Sequence, residues 1–178
     1  MRWMWIDRIV ELVPGRRLVA VKNVSLAEEY LHDHFPASPA GDGRAARAAL
    51  PVMPMSLIVE GMAQSAGILV GHAEGFREKV ILAKVSRARL DRDATPGTTL
   101  RYTATIEQAG VRGASTSGVV ELLDHARPGA GFEEAGRIDL MFSHLDRNIA
   151  GAEFPDHNFV FSESFRTLLR SSGLDAAF

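Results

Sequence analysis

The chain has 178 residues, of which 46% are hydrophobic and 24% charged, and its formal net charge is −2. This length is sufficient for one domain with a substantial hydrophobic core. The nearly balanced charge gives no electrostatic reason to expect nucleic acid or an anionic membrane surface as a partner. The chain has no cysteine, which excludes disulfides, thiol nucleophiles and Cys-ligated metals.

The N-terminal segment does not resemble a secretory signal, because Asp7 and Glu11 interrupt its apolar residues. The most apolar run, residues 57–70, is shorter than the roughly 18 to 20 residues that span a membrane, and it contains Glu60. Since the absence of cysteine also fits a reducing compartment, we expect a cytoplasmic protein that does not span a membrane.

The first predicted elements are a short apolar segment, a turn and a strand. Residues 5–13 combine apolar side chains with charges, and Pro14-Gly15 favours a turn. Residues 17–24 are rich in β-branched side chains, which favour a strand. A polar connection follows over residues 25–30.

His34 precedes Phe35-Pro36, and the proline biases Phe35 towards an extended conformation. We therefore expect His34 on a loop. Residues 37–50 contain mainly small residues, Gly, Pro and Arg, and predict a mobile surface loop or an insertion. Its two arginines, Arg44 and Arg47, could meet an anionic partner, although a solvated loop is the simpler interpretation.

Residues 50–72 predict a proline-bounded turn and then a helix that is apolar almost all round. Such a helix must be enclosed by other elements. Its polar exceptions are Glu60 and Gln64, which share a face with Gly67 and Gly71. A buried carboxylate costs several kcal/mol unless it is paired. Glu60 therefore indicates either a chemical role or a buried arginine partner.

The second half of the chain predicts a series of strands. Residues 98–108 alternate apolar and polar side chains with a period of two, as a half-buried strand does. Residues 80–90, 115–123 and 137–145 have similar character, and a loop rich in Gly and Pro precedes the last of them. Five or six antiparallel strands can curl around one apolar helix. The prediction is an α+β protein with the hotdog fold.

The tail predicts a terminal helix over residues 162–173, in which Ser162 caps the start and Gly173 stops the end. We expect this helix on the outside of the domain or against a partner subunit. The predicted organisation is one domain over residues 1–178, with a loop insertion at 37–50 and a C-terminal extension at 146–178.

A set of motifs resembles the 3-hydroxyacyl-(acyl-carrier-protein) dehydratases of fatty acid synthesis. The resemblance covers most of residues 5–72, is weaker over 80–145 and does not extend to the tail. Its motifs are Asp7-Arg8, Pro14-Gly15, Arg17-Leu18-Val19-Ala20, Lys22-Asn23-Val24, His34-Phe35-Pro36, Pro51-Val52-Met53-Pro54 and Leu57-Ile58-Val59-Glu60-Gly61-Met62-Ala63-Gln64.

The resemblance implies a homodimer, or a hexamer built from dimers, in which His34 of one subunit faces Glu60 of the other across an acyl tunnel. It also implies substrate contacts by Phe35 and Pro54, an acyl chain carried on acyl carrier protein or coenzyme A, and neither a metal nor a redox cofactor. We expect an acidic carrier protein to dock on Lys or Arg near the tunnel mouth.

The implied pair suits the elimination of water from a 3-hydroxyacyl thioester, which needs a base and an acid. A histidine can act as the base near neutral pH, and a carboxyl group in apolar surroundings can hold a proton for the leaving hydroxyl. Gln64 could orient the carboxyl group of Glu60. Backbone N–H groups around Met55 and Ser56, at the helix start, could polarise the thioester carbonyl.

The chain departs from the family pattern at two places beside this pair. Met55 replaces a glycine, so its side chain could crowd the substrate or exclude a positive φ, and residues 37–50 separate motifs that the family places closer together. The departures keep two alternatives open: an acyl-thioesterase in which Glu60 activates water, and a non-catalytic acyl-binding or scaffold protein. The remaining histidines show no metal-ligand spacing.

Overall fold

The computed structural model describes residues 3–145 and 160–174 of the chain. The strands are β1 Arg8–Val13, β2 Arg17–Asn23, β3 Val80–Leu90, β4 Thr98–Gly110, β5 Gly113–Asp124 and β6 Glu133–His144. The helices are α1 Tyr30–Asp33, α2 Met55–Ala73 and α3 Glu163–Ser171. The strands form one six-stranded antiparallel sheet in the order β1-β2-β4-β5-β6-β3.

The sheet curls around α2, which contacts β2, β3, β4, β5 and β6. The helix places Ile58, Met62, Ile68 and Leu69 in the core with at most 2% of each side chain exposed. This enclosure follows from the sequence, because a helix without a wide polar face is stable only when it is covered. The hotdog fold that the sequence predicts is confirmed.

Close packing of α2 on the sheet depends on Gly61. A Cβ atom at this position would lie 2.6 Å from the hydroxyl oxygen of Tyr102 on β4 and 2.9 Å from the backbone oxygen of Trp5. Tyr102 is fully buried. The glycine next to Glu60 therefore allows the helix, the sheet and the N-terminal segment to meet at one point.

The predicted elements agree with the structure except at three places along the chain. The segment before Pro14-Gly15 is a full strand, β1, that pairs with β2. The short helix α1 was not predicted, and His34 follows it directly, with its N–H donating to the Tyr30 carbonyl oxygen at 3.3 Å. Strand β6 begins at Glu133, within the segment predicted as a loop, because that segment pairs with β3 and β5.

The loop over residues 37–50 is exposed but partly ordered by its own backbone. Ser38 pairs with Arg47, and Gly41 pairs with Arg44. Asp42 and Gly43 both have positive φ, which is the pattern of a two-residue hairpin turn of type I′. The loop ends where the N–H of Leu50 donates to the carbonyl oxygen of Phe35 at 3.0 Å.

The predicted terminal helix forms as α3 and packs on its own chain through Phe165, Leu168 and Leu169, which are buried. Gly173 has a φ of +76° and, with the N–H of Leu174 bonded to the carbonyl oxygen of Leu169, ends the helix as predicted. Ser162 occupies the N-cap position, but its side chain makes no capping hydrogen bond. The prediction of a side-chain cap is therefore wrong, and residues 146–159 and 175–178 of the extension lie outside the described residues.

The two edges of the sheet differ. The N–H of Ile9 on β1 donates to the hydroxyl oxygen of Ser172 at 3.0 Å, so the C-terminal segment covers part of that edge. Strand β3 has 11 residues and, among the described residues, pairs only with β6. Leu82 and Val85 on β3 are about two-fifths exposed, at 41% and 42%. No helix in the described part of the chain is long and apolar enough to cross a membrane.

Candidate active site

Glu60 lines a small and mainly apolar cavity beside α2, which we call the Glu60 groove. The groove has a volume of about 90 Å³. Its walls come from α2, from the strands β3 and β6, and from the C-terminal segment: Glu60, Ala63, Gln64, Gly67, Ile68, Val80, Leu82, Phe142, Val160, Phe161 and Phe165. The carboxyl group of Glu60 is partly buried. Among the described residues that line this cavity, it is the acidic group, and the others contribute one amide and apolar groups.

The carboxyl group of Glu60 is held by Gln64. The amide nitrogen Nε2 of Gln64 donates to Oε1 of Glu60 at 3.0 Å, as the spacing of four residues on a helix allows. None of the ion pairs among the described residues includes Glu60. The interpretation of Glu60 as half of a buried pair with arginine therefore gains no support.

Gln64 is itself fixed by the N-terminal segment. Its Oε1 accepts a hydrogen bond from the N–H of Trp5 at 2.8 Å, and its Nε2 also donates to the carbonyl oxygen of Trp3 at 3.1 Å. The side chain is only 3% exposed. Because the amide is held at both ends, it presents its N–H to Glu60 in one orientation. The sequence pattern predicts the contact with Glu60, but nothing in it indicates the contacts with Trp3 and Trp5.

The residues predicted at the start of the helix lie there. Pro54 is the N-cap, without a side-chain capping bond, and its carbonyl oxygen accepts from the N–H groups of Leu57 and Ile58. Met55 and Ser56 follow as the first helical residues and are exposed. Their N–H groups precede the first intrahelical donor, so they remain available for an external oxygen.

Met55 has a helical backbone. A right-handed helix has negative φ, so methionine fits this position without strain, and the positive φ considered from the sequence does not occur here. The Met55 side chain is 42% exposed. Its effect on a bound substrate stays a prediction.

His34 and Phe35 lie after α1, away from the groove of their own subunit. His34 is exposed, and its ring packs edge-on against Phe35 with 4.4 Å between the centroids. Neither residue is among those that line the Glu60 groove within the described part of one chain. A single subunit therefore brings together Glu60 and Gln64 but does not bring His34 to them.

A polar cluster that the sequence does not reveal anchors α1. The Lys22 side chain is 7% exposed, and its Nζ contacts Oε1 of Glu28 at 2.6 Å and Oδ1 of Asp7 at 3.3 Å. The hydroxyl group of Tyr30 donates to Oε2 of Glu28 at 2.8 Å. Burial opposes the charged form of Glu28, but hydrogen bonds from Lys22, Tyr30 and the Ser25 amide outweigh it and lower its pKa. This cluster fixes the start of the short helix that leads to His34.

The described residues contain no group of three His, Asp or Glu side chains that could hold a metal ion. His125 is bonded through Nε2 to the Thr99 hydroxyl at 2.8 Å, and Nδ1 of His144 lies 3.3 Å from the carbonyl oxygen of Val111. These histidines have structural surroundings. His157 lies outside the described residues.

Comparison with known proteins identifies the family to which the chain belongs. A family model described as a FabA-like domain matches residues 47–123. The 3-hydroxyacyl-(acyl-carrier-protein) dehydratase FabZ of Caldanaerobacter subterraneus subsp. tengcongensis is 32% identical over 141 residues, which cover 79% of this chain and 86% of that protein.

Among solved structures, the dehydratase heterocomplex ApeI:P from Xenorhabdus doucetiae has a TM-score of 0.56 at 14% identity, with 81% of this chain and 84% of that chain covered. An acyl-CoA hydrolase from Staphylococcus aureus, in complex with butyryl coenzyme A, has a TM-score of 0.55 at 14% identity, with 88% and 87% covered. At these identities the structural likeness supports the fold only, whereas the sequence match is long and specific. The chain belongs to the family of 3-hydroxyacyl-(acyl-carrier-protein) dehydratases.

Proposed function

We propose that this protein eliminates water from 3-hydroxyacyl thioesters in fatty acid or related lipid synthesis. The observation that carries the proposal is the Glu60 carboxyl group, held by Gln64 at 3.0 Å in an otherwise apolar groove. A carboxyl group fixed in one orientation beside an apolar cavity suits proton transfer to a substrate whose tail is a hydrocarbon chain. The family relationship supports the same reaction.

In the proposed reaction, His34 removes the proton from the carbon next to the thioester carbonyl. The electron pair forms the carbon–carbon double bond, and the hydroxyl group on the third carbon leaves with a proton from Glu60 as water. Backbone N–H groups of Met55 and Ser56 stabilise negative charge on the thioester oxygen during this transfer. The products are a 2-enoyl thioester and water, and the enzyme is restored when a proton passes from His34 to Glu60 through solvent.

The site requires a second copy of the chain, because Glu60 and His34 do not share a cavity within one subunit. The edge of β3 supports such an assembly. Its 11 residues, with the exposed Leu82 and Val85, form a long edge without a strand partner among the described residues, and such edges invite pairing with another chain. We propose a homodimer in which β3 pairs with β3 of the partner and His34 approaches Glu60 of the partner subunit.

The substrate is proposed to be an acyl chain on the phosphopantetheine arm of acyl carrier protein, with coenzyme A thioesters as the second possibility. The FabZ relative is named for the carrier-protein substrate, and the hydrolase neighbour was solved with a coenzyme A thioester. We retain the cytoplasmic location and the one-domain organisation as predictions from the sequence.

The test is ultraviolet detection of the enoyl thioester formed from 3-hydroxyacyl thioesters. We expect wild-type turnover, and a loss of at least about a hundredfold in His34→Ala and in Glu60→Gln, since each removes a proton-transfer group. His125→Ala and Glu29→Gln are matched controls, because both residues are exposed and lie outside the groove. Absence of turnover in well-folded wild-type protein on every chain length and carrier would refute the proposal.

A mixture of the two inactive variants tests the shared site. Random exchange of subunits gives hybrid dimers in which one of the two sites has both intact residues, so about a quarter of wild-type activity should return. No recovery after verified exchange would contradict the placement of His34 and Glu60 on opposite subunits. Release of free thiol in the same assay, with no enoyl product, would instead favour the thioesterase alternative.

A further inference from the structure

The Glu60 groove runs along one face of helix α2. Gly67 and Gly71 lie seven and eleven residues after Glu60, so at 3.6 residues per turn they lie within about 20° of the same helix face. Gly67 lines the same cavity as Glu60, and Gly71 lies about one turn further along the helix. Because both are glycines, the helix itself leaves this path open.

The C-terminal segment fills the path at Gly71. A Cβ atom on Gly71 would overlap the ring of Phe161, which shows that the ring rests directly on the helix backbone. Phe161 also lines the Glu60 groove, with its neighbours Val160 and Phe165. The groove that starts at Glu60 therefore ends at an aromatic ring contributed by a segment outside the sheet.

This end wall is braced on both sides. Phe161 is 2% exposed, and its ring lies 4.8 Å from that of Phe76 and 5.7 Å from that of Phe165, both in edge-on contact. Helix α3 then buries Leu168 and Leu169 and reaches β1, where Ser172 accepts the Ile9 N–H. Because its surroundings are packed, the ring cannot swing aside without disrupting the neighbouring contacts.

The volume left open is small. At about 90 Å³ the groove is smaller than the cavity of about 150 Å³ that accepts benzene in another protein. Within one subunit this volume is enough for only a few methylene or methyl groups.

We propose that Phe161 closes the acyl groove and restricts this enzyme to short-chain 3-hydroxyacyl thioesters. The proposal rests on the dehydratase function proposed above and names its substrate class. Phe161 acts here by limiting the length of the bound chain, while the proton transfers belong to Glu60 and His34. Shortening the side chain should extend the groove along α2 towards Gly71.

The experiment compares kcat/KM for the 3-hydroxybutanoyl, 3-hydroxyhexanoyl and 3-hydroxyoctanoyl thioesters. We expect wild type to prefer butanoyl and to lose activity steeply with length. Each methylene buried contributes about fourfold in affinity. Phe161→Ala should therefore raise the octanoyl-to-butanoyl ratio at least about fifteenfold, through the two methylene groups that the opened groove can bury.

Phe161→Leu is the milder variant and should raise the same ratio less, which keeps the test valid if Phe161→Ala does not fold. Phe132→Leu is the matched control, since Phe132 contacts Arg101 on the sheet and does not line the groove. An unchanged length profile in folded Phe161 variants, or a wild-type enzyme that turns over octanoyl as well as butanoyl, would overturn the proposal.

Binding of saturated acyl-pantetheines that lack the hydroxyl group separates the two proposals. If wild type turns over no substrate but binds butanoyl-pantetheine better than octanoyl-pantetheine, and Phe161→Leu removes this preference, the groove assignment holds and the dehydratase function fails. If turnover is present while the preference is absent, the groove assignment alone fails.

Discussion

Replacing Gln64 with leucine separates the role of this amide in stability from its role in positioning Glu60. The change keeps a buried side chain of similar size but removes the hydrogen bonds to Trp5 N–H, the Trp3 carbonyl oxygen and Glu60 Oε1. Three such bonds contribute about 3 kcal/mol in total. The apolar area gained by leucine offsets about 1.5 to 2 kcal/mol of this, so the free energy of unfolding should fall by about 1 to 1.5 kcal/mol.

The effect on catalysis should be larger than the effect on stability. Without the Gln64 N–H, the Glu60 carboxyl group loses its fixed orientation, and a displacement of about 1 Å at a reacting group can cost about a hundredfold in rate. We expect kcat to fall between about tenfold and a hundredfold while KM changes little, since the acyl chain still meets an apolar wall.

The assays are urea unfolding, followed by intrinsic fluorescence, and steady-state kinetics at a temperature where the variant is folded. Gln108→Leu is the matched control, because Gln108 is an exposed glutamine at the end of β4. If Gln64→Leu retains wild-type kcat, Gln64 does not position Glu60. If its unfolding free energy matches that of Gln108→Leu, the hydrogen bonds to Trp3 and Trp5 contribute nothing measurable.

Three further outcomes are expected. The lowered pKa of Glu28 means that its contribution to stability is complete above the ordinary pKa of 4.5 and is lost as the pH falls through the folded-state value. Glu28→Gln should therefore flatten the acid side of a plot of melting temperature against pH. An unchanged plot would contradict the role of the cluster formed by Asp7, Lys22, Glu28 and Tyr30. The Tyr102 hydroxyl is buried without a hydrogen-bond partner among the described residues, so Tyr102→Phe should raise the unfolding free energy by about 1 kcal/mol in urea titrations, and a loss of that size would count against this explanation. Val85→Lys should shift the protein from dimer to monomer in light scattering and remove activity together with it, because a charge disfavours pairing at the β3 edge; a fully dimeric variant would place the subunit interface elsewhere.

Much of the fold can be predicted because its signals are local. The alternation of Leu100, Tyr102 and Ala104 with polar residues is visible in any short window, and it predicts a strand that the structure confirms as part of β4. The helical spacing of Glu60 and Gln64 likewise predicts the face that they share, and the 3.0 Å hydrogen bond between them follows from that spacing.

The wrong predictions fall where the structure depends on residues that are distant in the sequence. Residues 133–136 have the composition of a loop, yet they form the start of β6 because they pair with β3 and β5. The two strands lie so close together that a Cβ atom at Gly136 would meet the backbone of Arg89 and Leu90. A rule based on local composition takes no account of a neighbouring strand. The single turn of α1 escaped prediction for a similar reason, since Lys22 from β2 holds Glu28, and Glu28 in turn accepts a hydrogen bond from the Tyr30 hydroxyl group.

The sequence by itself determined the order of the elements, the apolar helix with its one acid, and the motifs that indicate the dehydratase family, because all of these depend on residue types at short spacings. Only the tertiary structure decided that Trp5 holds Gln64 from 59 residues away, that Ser172 accepts a hydrogen bond from Ile9 on β1 from 163 residues away, and that Phe161 lines the same groove as Glu60. Contacts of this range depend on how the sheet curls and on which surface of α2 it leaves open. That surface exists only once the whole chain has packed.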